Sequence, residues 1–343
     1  MSSPCAVPNL QPMDDPHAPV ERLKGLRAIR WRPTEGEQEL HDLASLRSAW
    51  ADESSRLWLD LVDATPELLG EIGALLGLHP LVVEDIAERN QRAKSELTGD
   101  ALHVVMFSLA FAGEMVSTEL DIVLGERYLL TAHDHGIDLH EPRYVRRGAA
   151  HYLSEGPDYL LWAIADRLVD DYFPIFDRLA DEIEDLGDQI IARPSSWLVE
   201  RLFQVRRDLL LIRHAVMPQR EIFNQLTNRD IGLIRPQRIV YFRDVYDHLI
   251  RLTDELDSHR ELVTTTLDIY LSQVNNNLSE IMRRLTAVTV VVAGIGAVAG
   301  VFGMSEASGE LGRLGLSGFW LVTVVLVLAG AAALLWFRRI RWL

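Results

Sequence analysis

The longest regular pattern in the chain runs from Arg238 to Met304, where apolar residues recur every three or four positions without an interrupting proline. The repeating apolar positions are Leu249, Leu252, Leu256, Val263, Leu267, Tyr270, Val274, Leu278, Ile281 and Leu285. This spacing is typical of a helix with one buried face. From Leu285 to Met304 charge is absent over about 20 positions, the length that a helix needs to cross a bilayer. The sequence therefore predicts one long helix that passes from water into a membrane.

A second stripe follows the same helix and consists of polar, hydroxylated or small residues. Its members are Asp268, Ser272, Asn275, Ser279, Met282, Thr286, Thr289, Ala293, Gly296 and Gly300. Such a face can line a water-filled path when several copies of the helix surround an axis. Because Gly296 and Gly300 also suit close helix packing, the periodicity alone leaves a pore helix and a plain packing helix both open.

A second apolar segment, Phe319 to Phe337, predicts another membrane crossing. Basic residues precede the first crossing and follow the second, namely Arg283, Arg284, Arg338, Arg339 and Arg341. The loop between the crossings carries Glu306, Glu310 and a single arginine. By the positive-inside rule we expect a cell inner membrane protein with both termini in the cytoplasm and the short loop outside.

Composition divides the chain into seven predicted parts. They are a disordered lead at 1–20, a cytoplasmic α/β domain at 21–156, a cytoplasmic helical hairpin at 157–237, a stalk and pore helix with the first crossing at 238–304, a periplasmic loop at 305–318, the second crossing at 319–337 and a basic cytoplasmic tail at 338–343. The lead is rich in proline and lacks an apolar core, so we expect no signal peptide there. The predicted fold class is an α+β membrane protein with two C-terminal transmembrane helices.

Local signals predict individual elements before the long helix. Arg56–Val62 reads as a strand, and Thr65 with a following proline predicts the start of a helix over Pro66–Leu76. Segments rich in β-branched and aromatic residues predict strands at Leu102–Phe111, Thr118–Leu124 and Tyr128–Ala132. We expect Pro218 and Pro236 to interrupt the helices that approach the long one.

Composition and charge argue against several function classes. A formal net charge of −16 argues against nucleic acid as a partner and favours surfaces that attract cations. The chain has no Gly-rich phosphate loop and no metalloprotease or serine-nucleophile motif, so we expect neither a nucleotide partner nor an enzyme. Cys5 is the only cysteine, which excludes intrachain disulfides and thiolate metal clusters.

Two clusters of titratable residues leave alternatives open. The acidic run from Asp177 to Asp188 is either a solvated helix face or a funnel that concentrates cations. The cluster at the end of a predicted strand, made of His133, Asp134, His135 and His140, is either a metal site or an ordinary polar turn. The histidines on predicted helices, His214, His248 and His259, have no evident second ligand at a matching spacing.

Several segments resemble the CorA superfamily of divalent-cation channels. They are Tyr241–His248, Leu285–Met304, His79–Ile86, Asp268–Ser272 and the closing Phe337–Leu343. The likeness extends from about residue 50 to the end of the sequence. It depends on the order and spacing of the segments together more than on any single segment. It implies a homopentamer with a cytoplasmic α/β funnel, a pore surrounded by the first crossings and an outer ring of second crossings. The family passes Mg²⁺ and, in some branches, Co²⁺, Ni²⁺ or Zn²⁺.

The resemblance also implies where this pore departs from the family. Gly303 and Met304 match the Gly-Met-Asn signature of the outer mouth, but Ser305 replaces the asparagine. A second pore asparagine of the family falls at Ser279, and a mid-span proline falls at Gly294. Because a hydroxyl is a weaker partner for metal-bound water than an amide carbonyl, we expect a pore of family-like shape and altered chemistry.

The residues expected to act are the following. They are Gly303, Met304 and Ser305 at the mouth, Thr286, Ser279 and Asn275 as oxygen donors, Asp268 as a carboxylate ring, Met282 and Leu285 as an apolar gate, and Glu306 and Glu310 as loop carboxylates that gather cations. The resemblance implies regulatory Mg²⁺ sites between neighbouring cytoplasmic domains at Asp85 and Asp244, with Glu84 as a further ligand. The alternative is that these are surface or helix-cap carboxylates without metal.

The sequence and the resemblance together predict a passive channel for divalent cations, with Mg²⁺ as first choice, driven by the membrane potential and gated by cytoplasmic Mg²⁺. One alternative is a zinc transporter of the related ZntB branch, with proton coupling. Another is a non-conducting membrane sensor of cations, which the loss of both asparagines permits.

Overall fold

The computed structural model describes residues 25–145, 147–303 and 316–339. Seven strands form one sheet, namely β1 (Leu26–Arg32), β2 (Gly36–Leu40), β3 (Arg56–Val62), β4 (Lys94–Thr98), β5 (Ala101–Phe111), β6 (Met115–Leu124) and β7 (Tyr128–His133). Their order across the sheet is β2-β1-β3-β7-β6-β5-β4. The central pair β3 and β7 is parallel, and every other neighbouring pair is antiparallel.

Different helices cover the two faces of this sheet. Three helices, α1 (Leu43–Ala51), α2 (Pro66–Leu76) and α3 (Pro80–Glu88), share one buried apolar cluster with Leu57, Leu59 and Leu61 of β3. Two further helices, α4 (Ala149–Glu155) and α5 (Pro157–Asp170), contact the same central strands without joining that cluster. Because side chains alternate along a strand, Trp58 and Asp60 lie on the second face, which α4 and α5 cover.

The local signals in the sequence place the elements of this sheet domain correctly. The strand Arg56–Val62 and the helix Pro66–Leu76 have the predicted bounds. The hydroxyl of Thr65 accepts a hydrogen bond from the backbone N–H of Leu68 at 3.3 Å, as an N-cap should. The strands predicted around residues 102, 118 and 128 are all present as β5, β6 and β7.

Four long helices complete the described chain. They are α6 (Phe173–Ala192), α7 (Ser196–Asn228), α8 (Ile239–Gly303), which a single 3₁₀ turn at Pro236–Arg238 precedes, and α9 (Leu316–Arg339). The prediction of one long helix is confirmed, because α8 is unbroken over 65 residues. Contrary to the prediction, Pro218 does not interrupt its helix. It lies inside α7, where the next residue, Gln219, is buried and donates its side-chain amide to the Ala215 carbonyl at 2.9 Å.

The chain divides into two compact units. The first combines the described residues up to Ala180 with Arg206–Arg260, and it holds the sheet and helices α1 to α5. The second combines Asp181–Val205 with the described residues from Glu261 onward. Within the second unit, Gln273 donates its side-chain amide to the Ile191 carbonyl at 3.2 Å.

One helix among the described residues, Pro236–Val301, is long and apolar enough to cross a membrane, judged by length and composition. Only 6% of the 18-residue apolar segment of this helix is buried within the chain. Several predicted parts lie outside the described residues: the lead at 1–20, most of the loop at 305–318 and the tail beyond Arg339.

Candidate functional site

The polar stripe of α8 is exposed along its whole described length. Asp268, Ser272, Asn275, Ser279, Met282, Thr286, Thr289, Ala293, Gly296 and Gly300 are all exposed residues of this one helix. The residues predicted as a gate, Met282 and Leu285, are 54% and 57% exposed. The single chain therefore leaves the proposed pathway residues uncovered by its own described elements.

A different face of α8 packs against α9. The side chain of Ile295 lies against Gly330, where a Cβ atom would come within 3.1 Å of the Ile295 Cδ1 atom. Val290, Gly294 and Ala333 are among the residues that line an apolar cavity of about 360 Å³ between the two helices. At about 100° of rotation per residue, this packed face and the polar stripe lie roughly 150° apart on the helix. The stripe thus points away from α9.

The two threonines of the stripe are satisfied by their own helix. The hydroxyls of Thr286 and Thr289 donate to the carbonyls of Met282 and Leu285, each at 2.8 Å. These bonds use the hydroxyl hydrogens and orient the oxygens, whose remaining lone pairs can accept from water or face a cation. Both hydroxyl hydrogens are therefore used within the helix, so neither threonine leaves an unmade donor.

The predicted outer mouth falls largely outside the described residues. Gly303 is the last residue of α8. Met304, Ser305, Glu306 and Glu310 follow it and lie outside the described part of the chain. Their roles stay predictions.

A carboxylate–histidine cluster joins α5 to α8 in the sheet-containing unit. One ligand atom from each of Asp166, Asp244 and His248 lies within 4.8 Å of the other two. Asp166 and His248 are half-buried and Asp244 is exposed. The Nδ1 atom of His248 is buried at 3.4 Å from an oxygen of Asp170 and makes no hydrogen bond among the described residues. Two carboxylates and an imidazole nitrogen are a donor set that fits a divalent cation.

Only part of this cluster was predicted from the sequence. Asp244 was predicted through the resemblance, whereas Asp166 was missed and His248 was expected to lack a second ligand. The signal for His248 was present, because Asp244 precedes it by four positions and so shares its helix face. Asp166 comes from another helix, and only the packing of α5 against α8 brings it near.

The other two predicted regulatory residues lie outside the cluster of Asp166, Asp244 and His248 within the described chain. Asp85 on α3 forms an ion pair with Lys94 at 2.7 Å, and Lys94 also lies 3.4 Å from Glu96. Glu84 is exposed. In this single chain the ammonium of Lys94 neutralises Asp85, and a cation would have to compete with it.

Close to Asp85, a carboxyl group on β6 titrates near neutrality. Burial, the charge of Asp121 and the charge of Asp85 raise the pKa of Glu119 to about 7. One oxygen of Glu119 accepts a hydrogen bond from the Gln91 backbone N–H at 3.1 Å, and the other is buried without a partner among the described residues. The charge of Glu119 therefore changes within the physiological pH range.

A mixed sheet domain is joined to a 65-residue helix that has a segment long and apolar enough to cross a membrane, so this fold indicates the class of membrane proteins with a large soluble domain. Comparison with known families specifies it further. The chain belongs to the family of CorA-like Mg²⁺ transporter proteins, whose sequence model matches residues 53–339.

Individual relatives agree with this family. The chain is 30% identical over 302 residues to the cobalt/magnesium transport protein CorA of Thermotoga maritima, covering 85% of each chain. It matches the structure of the CorA magnesium transporter from Methanocaldococcus jannaschii with a TM-score of 0.77, at 23% identity and with 92% and 98% of the two chains covered. The cytoplasmic domain of ZntB from Vibrio parahaemolyticus matches with a TM-score of 0.59 at 12% identity, covering 74% of this chain and all of that one.

Glu119→Gln is expected to make the protein more stable at alkaline pH. The folded state holds the Glu119 proton up to about pH 7, whereas the unfolded chain releases it near the ordinary value of 4.5. Between these values the folded state binds more protons, so its stability falls as pH rises, and the uncharged glutamine removes that loss. Thermal unfolding midpoints of both proteins, measured in detergent at about pH 5 and about pH 8, should diverge at the higher pH.

The exposed Glu114, in the turn between β5 and β6, offers a matched control. Glu114→Gln removes the same formal charge at a solvated site. A pH-independent difference between Glu119→Gln and the parent, or an equal effect of Glu114→Gln, would contradict the assignment.

Proposed function

We propose that this protein is a passive channel for divalent cations, with Mg²⁺ as the preferred ion, formed by five copies whose polar stripes face a common axis. The observation that carries this proposal is the placement of the stripe on α8, roughly 150° from the face that packs on α9. The aspartate and the asparagine of the stripe precede the apolar segment, and its threonines and small residues lie within that segment. We place this face toward other copies and water, where its oxygens can be used, and the apolar faces toward lipid.

Assembly also accounts for the exposure of the apolar segment of α8. With 6% of that 18-residue segment buried in one chain, the remaining surface must meet lipid or neighbouring copies. Packing α8 against its own copies covers the flanks of the stripe and leaves α9, which we propose crosses the membrane a second time, on the outside. This arrangement supports both termini in the cytoplasm of an inner membrane protein, since Arg338 and Arg339 end α9.

The driving force in this proposal is the membrane potential. A dication that enters through a potential of about 100 mV, negative inside, gains about 4.6 kcal/mol, twice the value for one charge. Transport down this gradient requires no nucleotide. The relative named a cobalt/magnesium transport protein supports divalent cations as the substrate class.

Along the path, each group has a separate proposed task. Glu306 and Glu310 gather cations near the mouth formed by Gly303, Met304 and Ser305, and Met282 with Leu285 forms a gate that opens by wetting. Thr286, Ser279, Asn275 and Asp268 supply oxygens along the path. Serines at the two positions where the family has asparagine are expected to weaken the hold on hydrated Mg²⁺.

Regulation is proposed at the cluster of Asp166, Asp244 and His248. A cation bound there would neutralise carboxylates on two helices, and Asp85 with Glu84 from a neighbouring copy would complete its shell. Falling cytoplasmic Mg²⁺ would empty the site and loosen the assembly, because the ion then no longer offsets the repulsion between carboxylates.

A zinc transporter is the second candidate, and one observation favours it. The imidazole of His248 beside Asp166 and Asp244 is a ligand that suits Zn²⁺ or Co²⁺ better than Mg²⁺.

Flux into proteoliposomes tests the proposed function and separates the candidates. Mg²⁺ uptake that follows the membrane potential without a pH gradient supports the channel, whereas Zn²⁺ uptake that requires a pH gradient supports the second candidate. Uptake of neither ion would contradict both and leave a cation sensor.

Thr289→Leu should reduce Mg²⁺ uptake about tenfold, equivalent to about 1.4 kcal/mol, because it places a bulky apolar side chain on the proposed pathway. The adjacent Val290→Leu is the matched control, since Val290 lines the cavity against α9. Equal loss in the two variants would mean that the stripe does not face the path.

Cation protection against proteolysis tests the regulatory site. Asp244→Asn should raise the Mg²⁺ concentration that protects the assembly by at least about tenfold, and His248→Gln should affect protection by Co²⁺ more than by Mg²⁺. The exposed Asp247 on the same helix supplies the control Asp247→Asn. If Asp244→Asn and Asp247→Asn behave alike, Asp244 is not a ligand.

A further inference from the structure

The histidine cluster that follows β7 does not form an ordinary surface turn. His133 is 1% exposed as a residue, and its Nε2 atom lies 3.2 Å from Oδ1 of the buried Asp60 on β3. The Nε2 atom of His140 lies 3.1 Å from the other oxygen of Asp60. His140 also stacks on Trp58, with ring centroids 4.1 Å apart. Two imidazoles thus enclose one carboxylate beneath the sheet.

Two oxygen atoms lie close to the ring nitrogens of His133. Its Nδ1 atom lies 2.9 Å from the carbonyl oxygen of Asp134, which can only accept, so Nδ1 carries a hydrogen. Its Nε2 atom lies 3.2 Å from the Asp60 carboxylate and makes no hydrogen bond among the described residues. A neutral imidazole has one N–H, but both nitrogens here lie close to an oxygen that can accept. An additional proton on this imidazole would turn its approach to Asp60 into an ion pair.

The other contacts of Asp60 agree with an ionised carboxylate. Thr131 donates its hydroxyl to Oδ1 and accepts from the Trp58 indole N–H at 3.1 Å. Burial acts to raise the pKa of Asp60, but the approach of the two imidazoles and the hydrogen bond from Thr131 outweigh burial and hold that pKa well below its usual range. The additional proton accordingly belongs to the imidazole.

Charged groups on the strands and the loop next to Asp60 form ion pairs with residues other than Asp60. Arg27 lies opposite Asp60 in the β1–β3 pairing, and its guanidinium binds Glu39 at 3.1 Å. In the loop, Asp134 pairs with Arg89, and Asp63 pairs with His135 at 2.8 Å. The β6 residues opposite Thr131 and His133 are apolar, namely Ile122 and Leu120.

Charged residues of α4 and α5, the helices that cover this face of the sheet, also have partners other than Asp60. On α5 the buried Asp158 binds Arg235. On α4 the ring of His151 lies 3.3 Å from Arg147. The groups beside Asp60 that can carry a balancing positive charge are therefore the imidazoles of His133 and His140.

A metal ion fits this cluster less well than a proton. Among the described residues, only Asp166, Asp244 and His248 bring three ligand atoms within 4.8 Å of one another. Asp60, His133 and His140 do not, because the two imidazoles approach different oxygens of the carboxylate.

We propose that Asp60, His133 and His140 form a proton-dependent clasp that holds residues 134–140 against β3 and releases them when the proton leaves to water at alkaline pH. The held segment continues into Arg143 and Tyr144, which line a cavity of about 200 Å³ together with Asp166. The clasp therefore gives the soluble domain a route by which pH alters the wall of that cavity. Only this last consequence for cation binding rests on the proposed function.

Hydrogen exchange of the full-length protein in detergent, followed by mass spectrometry, tests the clasp without any transport measurement. Between about pH 6 and about pH 9, and after correction for intrinsic exchange, the protection of residues 134–145 should fall about tenfold (about 1.4 kcal/mol). His133→Gln and Asp60→Asn should remove this pH dependence. The control His135→Gln changes an exposed histidine in the same segment and should retain it.

Protection of β5 and β6 checks that each variant is folded, and His140→Gln offers a milder change if Asp60→Asn fails this check. Parent protection that does not change with pH would overturn the clasp, as would loss of the pH dependence in His135→Gln. An increase in protection on adding Zn²⁺ that requires both Asp60 and His133 would also overturn it, because it would show a metal site instead.

Discussion

A membrane-crossing helix cannot leave polar groups unsatisfied against hydrocarbon, and this constraint governs how α8 can be placed. Helix α8 carries a continuous polar and small-residue stripe, and its contacts with α9 lie roughly on the opposite side. In the proposed assembly the stripe faces a water-containing interior. A single chain has no such interior among its described residues, and in the proposal identical copies supply the same stripe from every side.

The same helix also begins in the soluble unit, where Asp244 and His248 meet Asp166 of α5. A cation there would act on a residue of the very element that is proposed to line the path. Regulation in this scheme needs no separate transmitting domain. It needs only a difference in how well the filled and empty clusters hold neighbouring elements together. Glu119, whose pKa is raised to about 7, adds a group whose protonation changes the charge of the same domain.

Sequence patterns predicted the features that depend on local spacing. The unbroken α8, the strand Arg56–Val62 and the Thr65 cap all follow from periodicity or from signals a few residues apart. Features that depend on distant segments were missed or left open. Asp60 and His133 meet only because β3 and β7 pair in parallel, with about 70 residues between them, and Asp166 reaches Asp244 only through helix packing. Pro218 was expected to interrupt α7, but the helix continues through it from Ser196 to Asn228.

The most direct test of the central claim is the accessibility of single cysteines along α8, since Cys5 is the only native cysteine and can be replaced by serine. Cysteines at Thr289 and Ala293 sample the stripe, and cysteines at Val298 and Val301 sample other faces of the same helix. A membrane-impermeant cationic thiol reagent is predicted to modify the stripe positions and block Mg²⁺ uptake while leaving the other two unmodified. Modification of Val298 and Val301 with protection of Thr289 and Ala293 would contradict a water-filled path along the stripe.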